Sequence, residues 1–207
     1  MAGPWEESTG TLLAQSFEFL AVGGYTFKLA ETLDEQNQIE CLLHQTFVLE
    51  IRQDDDTGIG RLIDKFHHKN KYIVAKEKGQ VCGVVAAHDQ PPFSAAGSLE
   101  DRAFLDQLCP RLLEVRRLAI KPANRSGLVF PGLLWSVYRY ARCGGYRYIL
   151  MSGLLERQGM YEKMGFRPLG QAVRKGSAFF IPMLADLTDL PKTFQRTCDR
   201  WKRRIGR

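Results

Sequence analysis

The stretch from Glu114 to Gly153 restricts the fold more than any other part of the chain. It opens with "EVRRLAI", which reads as a strand, and passes through the polar loop "KPANRSG". An apolar run then reads as a helix over 127–143, with Phe130, Leu133, Leu134, Val137 and Ala141 on its inward face. Pro131 fits only the first turn of that helix, and Gly144 with Gly145 stops it. "YRYILMSG" reads as the next strand. Upstream, "KYIVAKEKGQVCGVVAAH" is an apolar run, a polar turn with Gly79, and a second apolar run, which is a hairpin pattern. A hairpin followed by strand–helix–strand gives an α/β order and a mixed sheet.

A chain of 207 residues makes one sizeable domain. A domain of this size buries roughly 70% of its unfolded surface and needs no disulfide staples. The five cysteines, at 41, 82, 109, 143 and 198, show neither metal nor disulfide spacing. A reducing, cytoplasmic setting is therefore expected. No apolar run is long enough to span a bilayer, and "MAGPWEESTG" lacks the basic region of a secretory signal. The net charge of +6 sits in one place: residues 191–207 hold seven Lys or Arg and one Asp, while the rest balances 22 basic against 22 acidic groups. The body carries no basic excess, so no nucleic-acid partner is expected.

Elsewhere the pattern is plainer. "YTFKLA" (25–30) alternates as a strand, and Ile39, Leu42, Leu43 and Phe47 predict a helix over 33–49. "RQDDDTGIG" reads as a solvated loop, because calcium loops space their ligands at alternate positions and these aspartates are adjacent. No metal is expected. Leu62, Ile63 and Phe66 mark a short helix ending near His67 and His68. Ser98 and Asp101 have capping-box spacing before a helix carrying Phe104, Leu105 and Leu108. "RQGMYEKM" is a short helix capped at Gly165, and "FRPLG" and "AFFIPMLAD" are the last strands.

The corner at 114–127 asks for a function. A strand feeding a helix through a polar loop offers an anion the unpaired N–H groups of the helix start. Ser126 and Gly127 allow close approach and Arg125 adds charge, although a solvent-facing turn would look the same. About forty residues on comes "MYEKMGF". The ordered pair "LAIKPANRSG" and "MYEKMGF" resembles the GNAT acyltransferase superfamily over roughly residues 25–190. That resemblance implies a mixed, mostly antiparallel sheet flanked by helices, with a splayed central strand at 115–120. Residues 1–24 are then an N-terminal extension, and 191–207 a basic amphipathic tail or linker. The superfamily's loop has small residues where this chain has Leu128 and Phe130, which argues against an ordinary nucleotide cradle.

Glu114-Val115-Arg116-Arg117 looks like the Glu-x-x-Arg of acyl-homoserine-lactone synthases and N-acyl amino acid synthases. "LLHQTFVLE" (42–50) resembles their N-terminal segment, keeping Phe47 and Glu50 but placing His44 where Arg is usual. These branches often take a fatty acyl chain from acyl carrier protein. The resemblance therefore implies an acyl-CoA or acyl-carrier-protein thioester as co-substrate and a small-molecule amine, such as an amino acid, as acceptor. Glu114 would take the amine's proton directly or through water. Tyr161 would protonate the leaving thiolate, and backbone N–H groups around Leu118, Ala119 and Ile120 would hold the oxyanion. Arg117 would bind an acceptor carboxylate, with His44 and Phe47 beside it. Against these roles, Glu114 and Arg117 would also serve as partners of neighbouring charges, and Tyr161 as a packed ring. Three readings stand: a long-chain N-acyltransferase, an acetyl-CoA-dependent GNAT enzyme, and a noncatalytic GNAT-like module of a larger protein.

The tail has its own pattern. Phe194, Cys198, Trp201 and Ile205 fall on one helix face, with Lys192, Arg196, Arg200, Lys202, Arg203 and Arg204 over much of the rest. Such a helix suits an anionic surface, either a membrane or the acidic face of a carrier protein. The alternative is that the aromatic stripe docks on the body. On the first reading, deleting 192–207 leaves the fold intact.

Overall fold

The structure, a computed structural model, describes residues 20–205. The greater part of the expected N-terminal extension, residues 1–19, lies outside them. One sheet organises the molecule: β1 (Leu20–Val22), β2 (Tyr25–Leu29), β3 (Lys71–Glu77), β4 (Gln80–His88), β5 (Leu112–Ile120), β6 (Tyr148–Leu154), β7 (Phe166–Pro168), β8 (Val173–Lys175) and β9 (Ala178–Asp186). Their order is β1-β2-β3-β4-β5-β6-β9-β7, with β8 beside β9. Among the described strands only the β5–β6 pair is parallel, and α3 (Val129–Cys143) makes the crossover between them. The sheet is thus mixed and mostly antiparallel, as the sequence order requires.

Both faces of β3 and β4 are buried, which explains their unbroken apolar runs. Ile73, Ala75, Val85 and Ala87 point to the face covered by Leu133 and Val137 of α3. Tyr72, Val74, Val84 and Ala86 point to the face covered by Ile39, Leu42 and Leu43 of α1 (Leu33–Leu43). Lys78 and Gly79, both at positive φ, make the two-residue turn between these strands. α3 lies close against β2 because residue 132 has no side chain: a Cβ there would come within 2.1 Å of the Phe27 ring. Two short helices, α2 (Ala103–Leu108) and α4 (Gln158–Lys163), flank the sheet.

Three elements depart from the sequence reading. The helix predicted over 33–49 changes pitch: after Leu43 it runs as a π-helix from His44 to Glu50. The apolar triplet Leu62, Ile63 and Phe66 makes an irregular turn rather than a helix, with Asp64 Oδ1 accepting from the Phe66 N–H at 2.9 Å. The fully buried residue of this turn is the acid between them. The expected Ser98 cap does not form either: 95–98 is a 3₁₀ turn, and Asp101 Oδ1 accepts from the Ala103 N–H at 2.9 Å.

The C-terminal segment forms α5 (Lys192–Ile205) and docks on the body against β1 and α3. Phe194, Cys198 and Trp201 are buried, so the apolar stripe is used up by packing. Lys192, Arg196, Arg200 and Arg203 remain exposed on the outer side. The side chains of Lys202, Arg204 and Ile205 lie outside what is described. The aromatic stripe of the tail thus docks on the body, as the alternative reading has it. No described helix is long and apolar enough to cross a membrane.

Candidate active site

The central strands part where the motifs meet. β5 and β6 pair only from Leu112 with Tyr148 to Val115 with Met151. Beyond that point β6 continues along β9, while β5 stays with β4. On the β4 side the register slips as well: Ala86 faces Arg116 and Val84 faces Ala119, so Arg117 and Leu118 together oppose Val85. This is a bulge in the splayed strand, and Arg117 carries it at φ 54°. A long side chain in that region costs on the order of 1–3 kcal/mol unless its surroundings hold it.

They do hold it. Arg117 donates from Nη1 and Nη2 to Asp54 at 2.5 and 2.9 Å, and from Nε to Asp64 Oδ2 at 2.7 Å. Its guanidinium lies 4.7 Å over the Phe47 ring. Arg116 contacts Asp64 Oδ1 and lies 4.6 Å over Phe66. Burial pushes the Asp64 carboxyl up, but the two guanidiniums and the Phe66 N–H outweigh it and hold it at about 2. The loop carrying Asp54 is fixed by the π-helix: its wide turns leave the Phe47 carbonyl free to accept from Gln53 and Asp54 N–H at 2.8 and 3.2 Å. From the other side Ser177 N–H and Oγ donate to the Ile51 carbonyl at 3.0 and 2.6 Å. The triple aspartate lies in an exposed loop at Asp55 and Asp56, as expected, but Asp54 turns inward to grip Arg117, and Asp56 accepts from Gly58 and contacts His44.

Two cavities meet at this bulge. On the α3 side is an apolar one of about 190 Å³, running from Leu118, Gly153 and Tyr161 at the splay towards Tyr138, Leu190 and Phe194. On the opposite side is a polar one of about 380 Å³ with Lys65, Arg116, Arg117 and Lys175 against Asp54. Phe47, Arg116, Arg117, Ser152 and Phe180 line both. Ser152 Oγ is buried there without a hydrogen-bond partner among the described residues. The polar cavity has four cations to one acid. Among the described residues Lys175 finds neither an ion pair nor a hydrogen bond for its ammonium; burial first, then Lys65, Arg116 and Arg117, pulls its pKa down. The turn after it is seated tightly, since a Cβ on Gly176 would fall 2.0 Å from the Arg52 carbonyl oxygen.

The residues singled out by sequence divide into two groups. Arg117, Leu118, Phe47 and Tyr161 line the apolar cavity. The Tyr161 ring lies on Gly153, where a Cβ would come within 2.6 Å of it, and burial raises its phenol above the usual value. Glu114 stands at neither cavity. It is fully buried and accepts from Ser94 N–H and Oγ at 2.8 and 2.7 Å and from Ala95 N–H at 2.7 Å. His88 Nε2 is 2.9 Å away, close enough for charge but off the line of a hydrogen bond. Burial pushes the Glu114 carboxyl up; His88 and the Ser94 and Ala95 donors outweigh that and hold it below the usual range. Ser94 itself lines the polar cavity, and Arg116 Nε donates to its Oγ at 3.3 Å.

His44 also sits away from both cavities, its Nε2 3.1 Å from Asp56. Ala119 and Ile120 are buried in the ladder with β4. Arg125, expected to meet an anion, donates instead to the Ile120 carbonyl at 3.0 Å and to Glu50 at 2.6 Å, while Ser126 and Gly127 are exposed just before α3. Sequence reasoning missed Asp54, Asp64, Ser94, Ser152 and Lys175. No local pattern marks them; a triple acid and a Lys-Gly turn were the visible traces.

The model of the family described as N-acyl amino acid synthase FeeM matches residues 38–184. No curated protein matches the chain in sequence. Among solved structures, the acyl-homoserine-lactone synthase LasI is similar with a TM-score of 0.64 at 17% identity, covering 84% of this chain and 93% of that one. The CoA-dependent synthase BjaI, solved with SAM and isopentyl-CoA, has a TM-score of 0.65 at 20% identity, with 82% of each chain covered. FeeM itself, from uncultured soil microbes, has a TM-score of 0.62 at 14% identity, covering 87% of this chain and 94% of that one.

Proposed function

This chain belongs to the acyltransferase family of the N-acyl amino acid synthase FeeM, and on that premise we propose that it moves a long acyl group from a CoA or carrier-protein thioester to a carboxylate-bearing amine such as an amino acid. The observation that carries this reading is the meeting of an apolar and a cationic cavity at the Arg117 bulge. The acyl chain lies in the apolar cavity, whose length is far more than an acetyl group fills. The thioester carbon then sits beside Leu118, and the amine arrives from the cationic side, its carboxylate drawn to Lys175 and Arg116.

Attack forms a C–N bond and places negative charge on the carbonyl oxygen. Backbone N–H groups at the bulge are the donors for that charge. Collapse breaks the C–S bond, and Tyr161, kept protonated by its raised pKa, gives the thiolate its proton. The attacking nitrogen gives up one proton to Ser94 Oγ at the cavity wall as that hydroxyl passes its own to the Glu114 carboxylate, which accepts its hydrogen bond. Glu114 also positions Ser94 and the end of β5. The exposed cations of α5, with Arg142 of α3, fit an acidic carrier protein better than a nucleotide fits the loop at Arg125.

The test measures thiol release from acetyl-CoA, decanoyl-CoA and decanoyl carrier protein with mixed amino acids, followed by product masses. An N-decanoyl amino acid is expected, with acetyl-CoA the poorest donor, because each buried methylene adds about 0.8 kcal/mol, roughly fourfold. Equal rates for acetyl and decanoyl donors would remove the long-chain reading. Binding of anionic vesicles without carrier-protein turnover would make the α5 surface a membrane contact instead.

A further inference from the structure

We propose that Tyr138 of α3 and Phe194 of α5 close the far end of the apolar cavity and so set the length of the acyl chain accepted, an inference that rests on the acyl-transfer reading. Their rings meet edge to face, with centroids 6.3 Å apart and planes at 85°. Phe194 is buried and faces the cavity. Directly behind this wall lies a second, open groove of about 740 Å³ between α3 and α5. Tyr138, Leu187 and Leu190 line both spaces, so the partition is one side chain thick.

The partition joins α3, which packs on the sheet, to α5, which docks at its edge strand β1. Phe194 comes from the first turn of α5, just after Pro191. α5 reaches the body through a narrow stripe of Phe194, Cys198 and Trp201. Tyr138 is half-buried, with its ring wedged between Phe194 and Trp135, whose centroid is 5.7 Å away. A chain growing from the thioester at Leu118 runs along Leu133, Leu134 and Val137 and ends against this pair. Each methylene accommodated before the wall adds binding; the first one beyond it meets two aromatic rings. Removing the Tyr138 ring joins the cavity to the groove and gives longer chains somewhere to go.

The experiment compares wild type with Tyr138→Ala and with the milder Phe194→Leu, each checked for folding by its melting transition. The measurement is kcat/KM for a series of acyl donors from four to sixteen carbons. In the variants the preferred length is expected to move up by two or more carbons. The rate ratio of the donor two carbons beyond the wild-type optimum to that optimum should rise about fifteenfold, from roughly fourfold for each of the two methylenes. An unshifted length profile in folded variants overturns the proposal while leaving the acyl-transfer reading intact. If wild type transfers no acyl group from any donor, that reading falls. The partition is then read from thermal stabilisation by free fatty acids of the same lengths. An identical length dependence in wild type and Tyr138→Ala overturns it there too, and a shift to longer acids supports it.

Discussion

Replacing Asp64 by asparagine tests how the bulge is held. Asp64 is fully buried and accepts from Arg116, Arg117, the Phe66 N–H and Asn70 Nδ2, the last at 3.1 Å. Asparagine keeps the shape but has one acceptor oxygen, so one guanidinium faces an amide N–H₂, Arg116 loses its charge partner and Arg117 loses one of two. Breaking a buried pair costs about 3–5 kcal/mol. Arg117 keeps Asp54, which puts the loss at the lower end, about 3 kcal/mol. For a domain of this size that lowers Tm by about 6–12 °C. The pH dependence is a second signature. The folded carboxyl is held at about 2 against 3.8 for an unperturbed aspartate. A folded value below the unfolded one means stability fully present above 3.8 and lost as pH falls towards 2. The substituted amide does not titrate, and the other acids are common to both proteins. The gap between the unfolding free energies of wild type and variant should therefore narrow by about 2 kcal/mol from pH 4 to pH 2. Urea melts at a series of pH values from neutral down to about 2 measure it. A gap that stays constant over that whole range, or a variant as stable as wild type at neutral pH, refutes the assignment of Asp64 as the ionised anchor of both arginines.

Tyr161→Phe removes the proposed proton donor without emptying the space over Gly153. We expect kcat to fall by about 10²-fold, the low end for general acid catalysis, with donor binding unchanged; single-turnover kinetics at undiminished rate would take Tyr161 out of the mechanism. Lys175→Met removes the cation that has no partner among the residues described around the polar cavity. One charged hydrogen bond of about 1.5–3 kcal/mol predicts a KM for the amino-acid acceptor about 10- to 100-fold higher, while the corresponding amino-acid methyl ester loses little; a variant that keeps the wild-type preference for acid over ester shows that the carboxylate binds elsewhere.

How far the sequence reveals this molecule depends on the range of the interaction. The apolar runs of β3 and β4, the inward face of α3 and the Gly79 turn are local, and they place the sheet and its crossover correctly. The splay is expected only through the resemblance that the two motifs carry, and the strands do part there. What fixes the site is not local. Asp54 and Asp64 reach Arg117 across 63 and 53 residues, and a triple acid in a loop looks the same whether water or a guanidinium receives it. The π-turn at His44–Glu50 has an ordinary helical pattern of apolar residues, since Ile39 to Phe47 face the core in either pitch. The tail illustrates the same limit, because a stripe of Phe194, Cys198 and Trp201 shows that one face is to be buried, and only the fold shows against what. Glu114 is the instructive case. Its place in Glu-x-x-Arg marks it as important, and its burial with three donors ties it to Ser94 and Ala95 rather than to either cavity. A motif names the residues on which a site depends. Which of them reach a cavity is decided by the strand register: the two-for-one bulge carries Arg117 at the cavities, while Glu114, in regular register with His88 before it, stays inside.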